Sequence, residues 1–250
     1  MLLGARQFFE RRGAPAWTNP YVTDGLVAMW DGEWNAGGGV HDAVATNWRE
    51  LVSGTNCEMR GTIATDYDWA SDSLVKIHEG RGNFFFDATS ALQDAFRAAT
   101  FTVEATTSQP VNNASWLAQI INVCQTAEVS TSYALGIIAR WRRENNGAMG
   151  SLSNTKYPSG AGLTLATTDA LATFACVYNA GQYVSYLDGE QKSTGSATPD
   201  STIDGVWVRL GSAAFGFRGH YHSLRLYSRA LTADEISANY AIDKARFSLP

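Results

Sequence analysis

The chain has 250 residues, of which 45% are hydrophobic, 12% aromatic and only 17% charged, and its net charge is −5. This composition, with 23 glycines, is typical of a β protein with many turns and argues against a disordered chain. The acidic balance argues against a nucleic-acid partner, since the densest basic run is only Arg140, Arg142 and Arg143. No stretch approaches the roughly 18 apolar residues of a membrane-spanning helix.

Residues 1–20 differ from the rest of the chain. Their apolar residues and arginines could occupy opposite faces of a short helix, which Gly13 and Pro15 then break. We interpret residues 1–20 as an N-terminal arm that docks on a partner or on the protein's own surface, with a frayed terminus as the alternative. Arg6 interrupts the apolar run, so the segment does not resemble a secretory signal peptide.

From residue 21 onward the pattern favours β-strands. Residues 100–107 alternate strictly, with Phe101, Val103 and Ala105 on one face and polar residues on the other. Residues 171–178 and 183–187 are separated by a short glycine-containing linker, which predicts a hairpin, and Asp188-Gly189 predicts a second tight turn. Many short strands with turn signals about every 8–12 residues predict one all-β sandwich over residues 21–250.

One helix is expected near the end of the chain. Thr232 and Glu235 form a capping box, in which each side chain satisfies a backbone N–H of the other residue. Ile236 and Tyr240 lie one turn apart, so we expect the helix to pack through these two residues and to end before Phe247.

Several segments resemble the laminin-G-like, concanavalin A-like lectin-glucanase family. The resemblance is carried by residues 183–190 (YVSYLDGE), 208–211 (VRLG) and 217–236, in which a strand ending RLYSRAL precedes the capped helix. It implies a jelly roll of two antiparallel sheets that recognises carbohydrate or protein. Some relatives cleave glycans, and others belong to larger assemblies, including phage particles. The chain departs from the family at His222 and Ser223, where many relatives carry an acidic pair.

Tryptophans are the main candidates for ligand binding, because the apolar face of a sugar ring stacks on aromatic rings. Trp34, Trp69 and Trp141 lie in polar or glycine-rich surroundings, so we predict that they are exposed and contact ligand. The alternative for each is packing in the core or at its edge. Trp30 and Trp48 are expected to be structural.

Carboxylates offer weaker candidates. Asp66, Asp68 and Asp72 could supply oxygen ligands to Ca²⁺, although the alternative is that they stabilise turns. No other cofactor is expected. Asp31 and Glu33 form a close acid pair in a glycine-rich loop, but the Glu-x-Asp-x-x-Glu pattern of related glycoside hydrolases is missing from the sequence.

The sequence therefore favours a non-catalytic recognition or adhesion module that binds glycan or protein, in an extracellular or virion-associated location. The alternative is a structural or decoration protein of a phage virion, with homo-oligomerisation or assembly through residues 1–20. A glycoside hydrolase is the third hypothesis, and it is disfavoured because no convincing carboxylate pair is present.

Overall fold

The computed structural model contains two antiparallel β-sheets and a C-terminal helix. Within the described ranges each sheet has eight strands. The structure describes residues 17–77, 83–87, 94, 100–108, 117–124, 136–142, 147–153, 163–164, 171–196, 207–210 and 218–250.

Sheet I contains the strands on which the candidate site is built. Along this sheet the order is β14-β13-β12-β7-β16-β5-β4, and β1 also pairs with β16. The strands are β1 (Leu26–Asp31), β4 (Tyr67–Ala70), β5 (Ser73–Lys76), β7 (Thr100–Ser108), β12 (Ala172–Asn179), β13 (Gln182–Leu187), β14 (Glu190–Ser196) and β16 (Gly219–Tyr227).

Sheet II has the order β11-β10-β9-β8-β15-β6-β3-β2. Its strand β10 contacts β12 and β13 of sheet I, so the two sheets stack face to face. This arrangement confirms the predicted all-β jelly-roll sandwich. The strands are β2 (Asn47–Arg49), β3 (Asn56–Arg60), β6 (Asn83–Asp87), β8 (Leu117–Cys124), β9 (Gly136–Arg142), β10 (Gly147–Ser153), β11 (Leu163–Thr164) and β15 (Trp207–Leu210).

The central strands of sheet I are buried on both faces. In β7 the apolar face packs into the sandwich, where the Phe101 ring stacks on Tyr178 with centroids 5.2 Å apart. On the outer face Thr102 donates a hydrogen bond to the Arg229 carbonyl, and Thr106 donates one to Asp243. The predicted alternation is confirmed, and the polar face is buried because the C-terminal segment covers it.

The covering element is helix α1 (Ala233–Phe247). Its capping box is present as predicted: Glu235 N–H donates to the Thr232 hydroxyl over 3.3 Å, and Thr232 N–H donates to Glu235 Oε2 over 2.8 Å. The side of α1 that faces sheet I consists of Ile236, Asn239, Asp243 and Phe247.

Ile236 packs on the sandwich as predicted, whereas the predicted helix end before Phe247 and the predicted inward position of Tyr240 were wrong. The helix includes Phe247 and ends only at Ser248, which has a left-handed φ of 56°. Phe247 continues the helix because its buried ring packs against His222, with centroids 5.1 Å apart. Tyr240 is only half-buried and packs on the β13–β14 turn, where a Cβ atom at Gly189 would lie 2.8 Å from its ring. Buried polar groups beneath α1 select Asn239 and Asp243 for the inner face instead.

Of the predicted arm, only residues 17–20 are described. Trp17 contacts the domain itself, because a Cβ atom at Gly38 would lie 2.5 Å from its ring. Residues 1–16 lie outside the described ranges, so the boundary between residues 1–20 and 21–250 stays a prediction. Within the described ranges, no helix has the length and hydropathy needed to cross a bilayer.

Candidate functional site

The candidate site is built where β1 and β5 lie end to end along one edge of β16. β1 pairs with β16 as far as Ser223, and β5 pairs with it from Tyr221, so His222 lies between the two strands. Gly32 N–H donates to the His222 carbonyl over 2.8 Å. A Cβ atom at Gly32 would lie 2.4 Å from the Cα of Ser73, so this crossing needs glycine.

Beyond Gly32 the chain forms a glycine-rich rim loop, residues 32–45. The loop is closed by Asn35, whose buried side-chain amide donates to the Asp42 carbonyl over 2.8 Å and accepts from Asp42 N–H over 2.7 Å. His41 Nδ1 lies 3.0 Å from the Gly32 carbonyl oxygen. These bonds hold both ends of the loop, so its side chains are presented in a defined geometry.

Arg246, from the last turn of α1, binds the base of this loop. Its guanidinium pairs with the Asp31 carboxylate through hydrogen bonds of 2.7 and 3.0 Å. It also donates to Glu33 Oε2 over 2.7 Å and to the Tyr21 hydroxyl over 2.6 Å. Burial lowers the pKa of Arg246, but its bonds to Asp31 outweigh that effect and raise the pKa overall, so the side chain stays charged.

Trp34 lies directly over this guanidinium. The Arg246 Cζ atom is 3.8 Å from the centre of the Trp34 ring, within the range of a cation–π contact. Trp17 meets the same ring edge to face, with centroids 5.1 Å apart and an angle of 68° between the planes. Trp17 and Trp34 are both half-buried. We call Trp17, Glu33, Trp34, Gly38 and Arg246 the Trp34 rim.

A second polar cluster lies beside the rim, in the gap between β1 and β5. Ser73 Oγ is 3.0 Å from His220 Nδ1, and Asp72 Oδ2 is 3.4 Å from His222 Nδ1. The two imidazole rings stack 6.0 Å apart. Burial lowers the pKa of His222 to about 4, despite the opposing charge of Asp72, and burial also lowers the pKa of His220. Both rings are therefore neutral near pH 7.

The Ser73–His220 pair has the donor and acceptor types of a nucleophile and its base. Ser73 is fully buried, however, beneath the chain crossing at Gly32. A buried hydroxyl cannot attack a bound polymer, so this cluster has the geometry of a packing contact.

The structure separates the three tryptophans that were predicted to bind ligand. Trp34 is at the rim, as described. Trp69 is 7% exposed, donates from Nε1 to the Ala45 carbonyl over 2.9 Å and packs edge to face on Trp48. Its predicted exposure is therefore wrong, because it fills space between the sheets' edges. Trp141 belongs to β9, and its side chain lies outside the described ones. Trp30 and Trp48 are buried, as expected.

Of the three aspartates of the predicted calcium site, Asp66 and Asp68 make local hydrogen bonds and Asp72 contacts His222. Asp66 precedes β4 and accepts from Thr62 N–H, Asp68 accepts from Trp69 N–H, and Asp72 follows β4. The four residues of β4 lie between Asp66 and Asp72, and at roughly 3.3 Å per residue they span about 13 Å. Among the described residues, no group of three or more metal-ligating side chains gathers. The structure does not bring these aspartates together, so a Ca²⁺ site at this position stays a sequence prediction without a geometric basis.

Sequence reasoning missed Trp17 and Arg246. Trp17 lies between Pro15 and Pro20 in a polar segment, and an aromatic residue in such a segment is a usable signal for a surface contact. Arg246 gave no usable signal, since basic residues in the last turn of a helix are common for electrostatic reasons. Its partner Asp31 is 215 positions away in the chain.

The two sheets and the covering helix define a concanavalin A-like β-sandwich. The chain belongs to the concanavalin A-like lectin/glucanases superfamily: its residues 86–237 match the laminin G 3 family model. This confirms the resemblance read from the C-terminal segments. The Trp34 rim lies entirely outside the matched residues. No curated protein sequence matches the chain.

Solved structures of the same fold are only distantly similar in sequence. Trypanosoma rangeli sialidase superposes with a TM-score of 0.65 at 15% identity, covering 88% of this chain and 33% of that one. The binding domain of botulinum neurotoxin DC in complex with SialylT gives 0.58 at 11% identity, covering 88% and 52%. The receptor binding domain of the botulinum neurotoxin C/D mosaic serotype gives 0.60 at 14%, covering 89% and 52%. This chain thus spans a third to about half of these proteins, and the comparisons do not support the phage-virion alternative.

Proposed function

We propose that this chain is a non-catalytic glycan-recognition module whose ligand binds at the Trp34 rim. The observation that carries the proposal is the half-buried Trp34 ring, which is held by Arg246 on one face and by Trp17. Binding residues concentrate on loops that a rigid scaffold positions, as this loop is positioned between β1 and β5. Because the ring is already oriented, little side-chain entropy is lost when a ligand stacks on it.

The chemistry of the rim suits a sugar. The Trp34 ring is half-buried, and its exposed part is the surface that we propose to stack on the C–H face of a pyranose. Glu33, whose side chain is 48% exposed, lies beside the ring and can accept hydrogen bonds from sugar hydroxyl groups. A few polar groups next to an aromatic platform are the usual composition of a small-ligand site.

The comparisons support a glycan as the ligand class. Trypanosoma rangeli sialidase was solved in complex with sialic acid, and the botulinum neurotoxin DC binding domain in complex with SialylT. The family description itself joins lectins and glucanases.

The acid pair argues for binding without cleavage. A glycosidase needs one protonated carboxyl group and a second carboxylate that reaches the sugar or a water molecule. Asp31 and Glu33 instead share the Arg246 guanidinium, and Asp31 is fully buried. Among the described residues, Glu104 and Asp243 also share one cation, and both are buried around Arg225.

A glycan array read with the purified protein tests the proposal. We expect binding to at least one glycan, and the Trp34→Ala variant should weaken it by about 10-fold or more, as loss of a stacking platform does. Lys192→Ala, an exposed change on β14, is the matched control and should leave binding unchanged. An array without any bound glycan would contradict the proposal and leave the protein ligand as the alternative.

The bound glycan also tests the absence of catalysis. We expect its mass to stay unchanged after long incubation with the protein. Release of shorter products, abolished by Glu33→Gln, would contradict the non-catalytic assignment and restore the hydrolase hypothesis.

A further inference from the structure

We infer that the Trp34 rim selects glycans that carry no carboxylate next to the stacked sugar, and so rejects sialylated and other acidic glycans. This inference rests on the proposed function and adds the ligand class. Its basis is that the charged groups around Trp34 are already paired with one another within the protein.

The cation at the rim is not available to a ligand. Arg246 contacts the Trp34 ring through its face, and its Nη1 and Nη2 atoms donate to Asp31, Glu33 and Tyr21. Its side chain is only 14% exposed. A ligand carboxylate could reach this guanidinium only by displacing a bidentate ion pair with a buried partner, and breaking such pairs is strongly unfavourable.

Two carboxylates against one guanidinium leave the base of the rim with a net negative charge. Glu33 is the exposed member and shares the Arg246 guanidinium with Trp34, so its charge repels an anion bound at this ring. Asp72 adds to the field: its carbonyl oxygen would lie 2.7 Å from a Cβ atom at Gly32, and its side chain is 45% exposed. Like charges placed together at an interface suppress the wrong partner.

The neighbouring titratable groups do not make the net charge at the base of the rim positive. His220 and His222 are neutral near pH 7, since burial lowers the pKa of each. Arg49 is exposed and lies beside Gly37, on the same loop, where it offsets part of the charge.

The test is a glycan array on which every sialylated glycan is printed beside its desialylated form. At low ionic strength we expect the desialylated member to bind about 10-fold more tightly, because two charges a few ångströms apart in water interact with roughly this strength. The preference should shrink at about 1 M salt, where the screening length falls to roughly 3 Å.

Two variants test whether the rim causes the preference for desialylated glycans. Glu33→Gln should reduce the affinity ratio between the desialylated and sialylated glycan of each pair several-fold. Asp72→Asn, which has no described contact with Trp34, should narrow it to a smaller extent, so a change in ring position cannot account for both. Lys192→Ala should leave this ratio as it is.

The outcomes distinguish failure of the predicted selectivity against acidic glycans from failure of the proposed glycan binding. Equal or tighter binding of sialylated glycans that is lost in Trp34→Ala would overturn the inference and leave the proposed function intact. A preference for desialylated glycans that neither salt nor Glu33→Gln changes would also overturn it. Failure to bind any glycan on the array would overturn the proposed function itself.

Discussion

Arg225 and Asp243 are joined across the interface of sheet I and α1 by hydrogen bonds of 3.0 and 2.6 Å. Both side chains are fully buried, and Arg225 also donates to Glu104 over 2.8 Å. Asn239 donates to the same Glu104 carboxylate over 2.8 Å. The helix is therefore held on the sheet by a charged network, and this positions Arg246 one turn further along for its role under Trp34.

Removing one partner from this network should destabilise the protein strongly. We expect Asp243→Asn to lower the free energy of unfolding by about 3–5 kcal/mol, since the buried Arg225 loses one of its two counter-ions. Asp234→Asn, the same change at an exposed position of α1, should lower it by less than about 1 kcal/mol. Urea unfolding followed by circular dichroism measures both. Equal effects of the two variants would contradict the structural role of the network.

Gly32 and Gly38 should respond differently to substitution by alanine. At Gly32 the new Cβ atom meets backbone, the Cα of Ser73 at 2.4 Å, and backbone cannot yield without opening the junction of β1 and β5. We expect Gly32→Ala to cost about 3 kcal/mol of stability. At Gly38 the obstacle is the Trp17 ring at 2.5 Å, a side chain that can move. Gly38→Ala should therefore keep most of the stability but change tryptophan fluorescence.

Thermal unfolding of the two glycine variants provides the comparison. The midpoint should fall much further for Gly32→Ala than for Gly38→Ala. The reverse order would show that the crossing of the chains at Gly32 is not close.

Stability should decline in acid because of His222. The folded-state pKa of about 4 lies below the ordinary value of about 6.5, so the unfolded state binds the proton more readily. The stabilising contribution is therefore complete above about pH 6.5 and is lost as the pH falls towards 4, by up to about 3 kcal/mol. His222→Asn should flatten this part of the profile of unfolding free energy against pH. A variant profile as steep as that of the wild type would contradict the assignment to His222.

Trp34 and Trp69, which were both predicted to be exposed, should differ in how much their replacement by alanine destabilises the protein. Trp69→Ala removes a buried ring from its contact with Trp48 and should cost about 3–5 kcal/mol of stability. Trp34→Ala removes a half-buried rim residue and should cost about 1 kcal/mol, mostly its contact with Arg246. Chemical denaturation of both variants measures the difference. A larger loss for Trp34 than for Trp69 would contradict their placement.

Local features were predictable from the sequence because their partners are close in the chain. The alternation of β7 and the capping box of Thr232 and Glu235 appear in the structure as expected. The predicted turn at Asp188 and Gly189 has positive φ angles of 51° and 77°. Each depends on backbone preferences and contacts that span only a few residues.

Burial of individual polar and aromatic residues was harder to predict. Trp69 has polar neighbours in the sequence but is covered by Trp48. Glu104 falls on the polar face of β7, which ordinarily faces solvent, yet it is fully buried because α1 lies over it. Hydrophobic periodicity indicates which residues share a face, and it does not indicate what covers that face.

The amino-acid sequence by itself determined the fold class, the hairpins and the capped helix, since short-range periodicity and turn chemistry specify them. Only the tertiary structure decided that Trp17, Trp34 and Arg246 form one rim, and that Arg246 is occupied by Asp31. These residues come from the two ends of the chain. Their contact arises because β1 lies beside β16 in sheet I and α1 lies across the outer face of that sheet. Local sequence patterns do not indicate which distant residues this packing brings together.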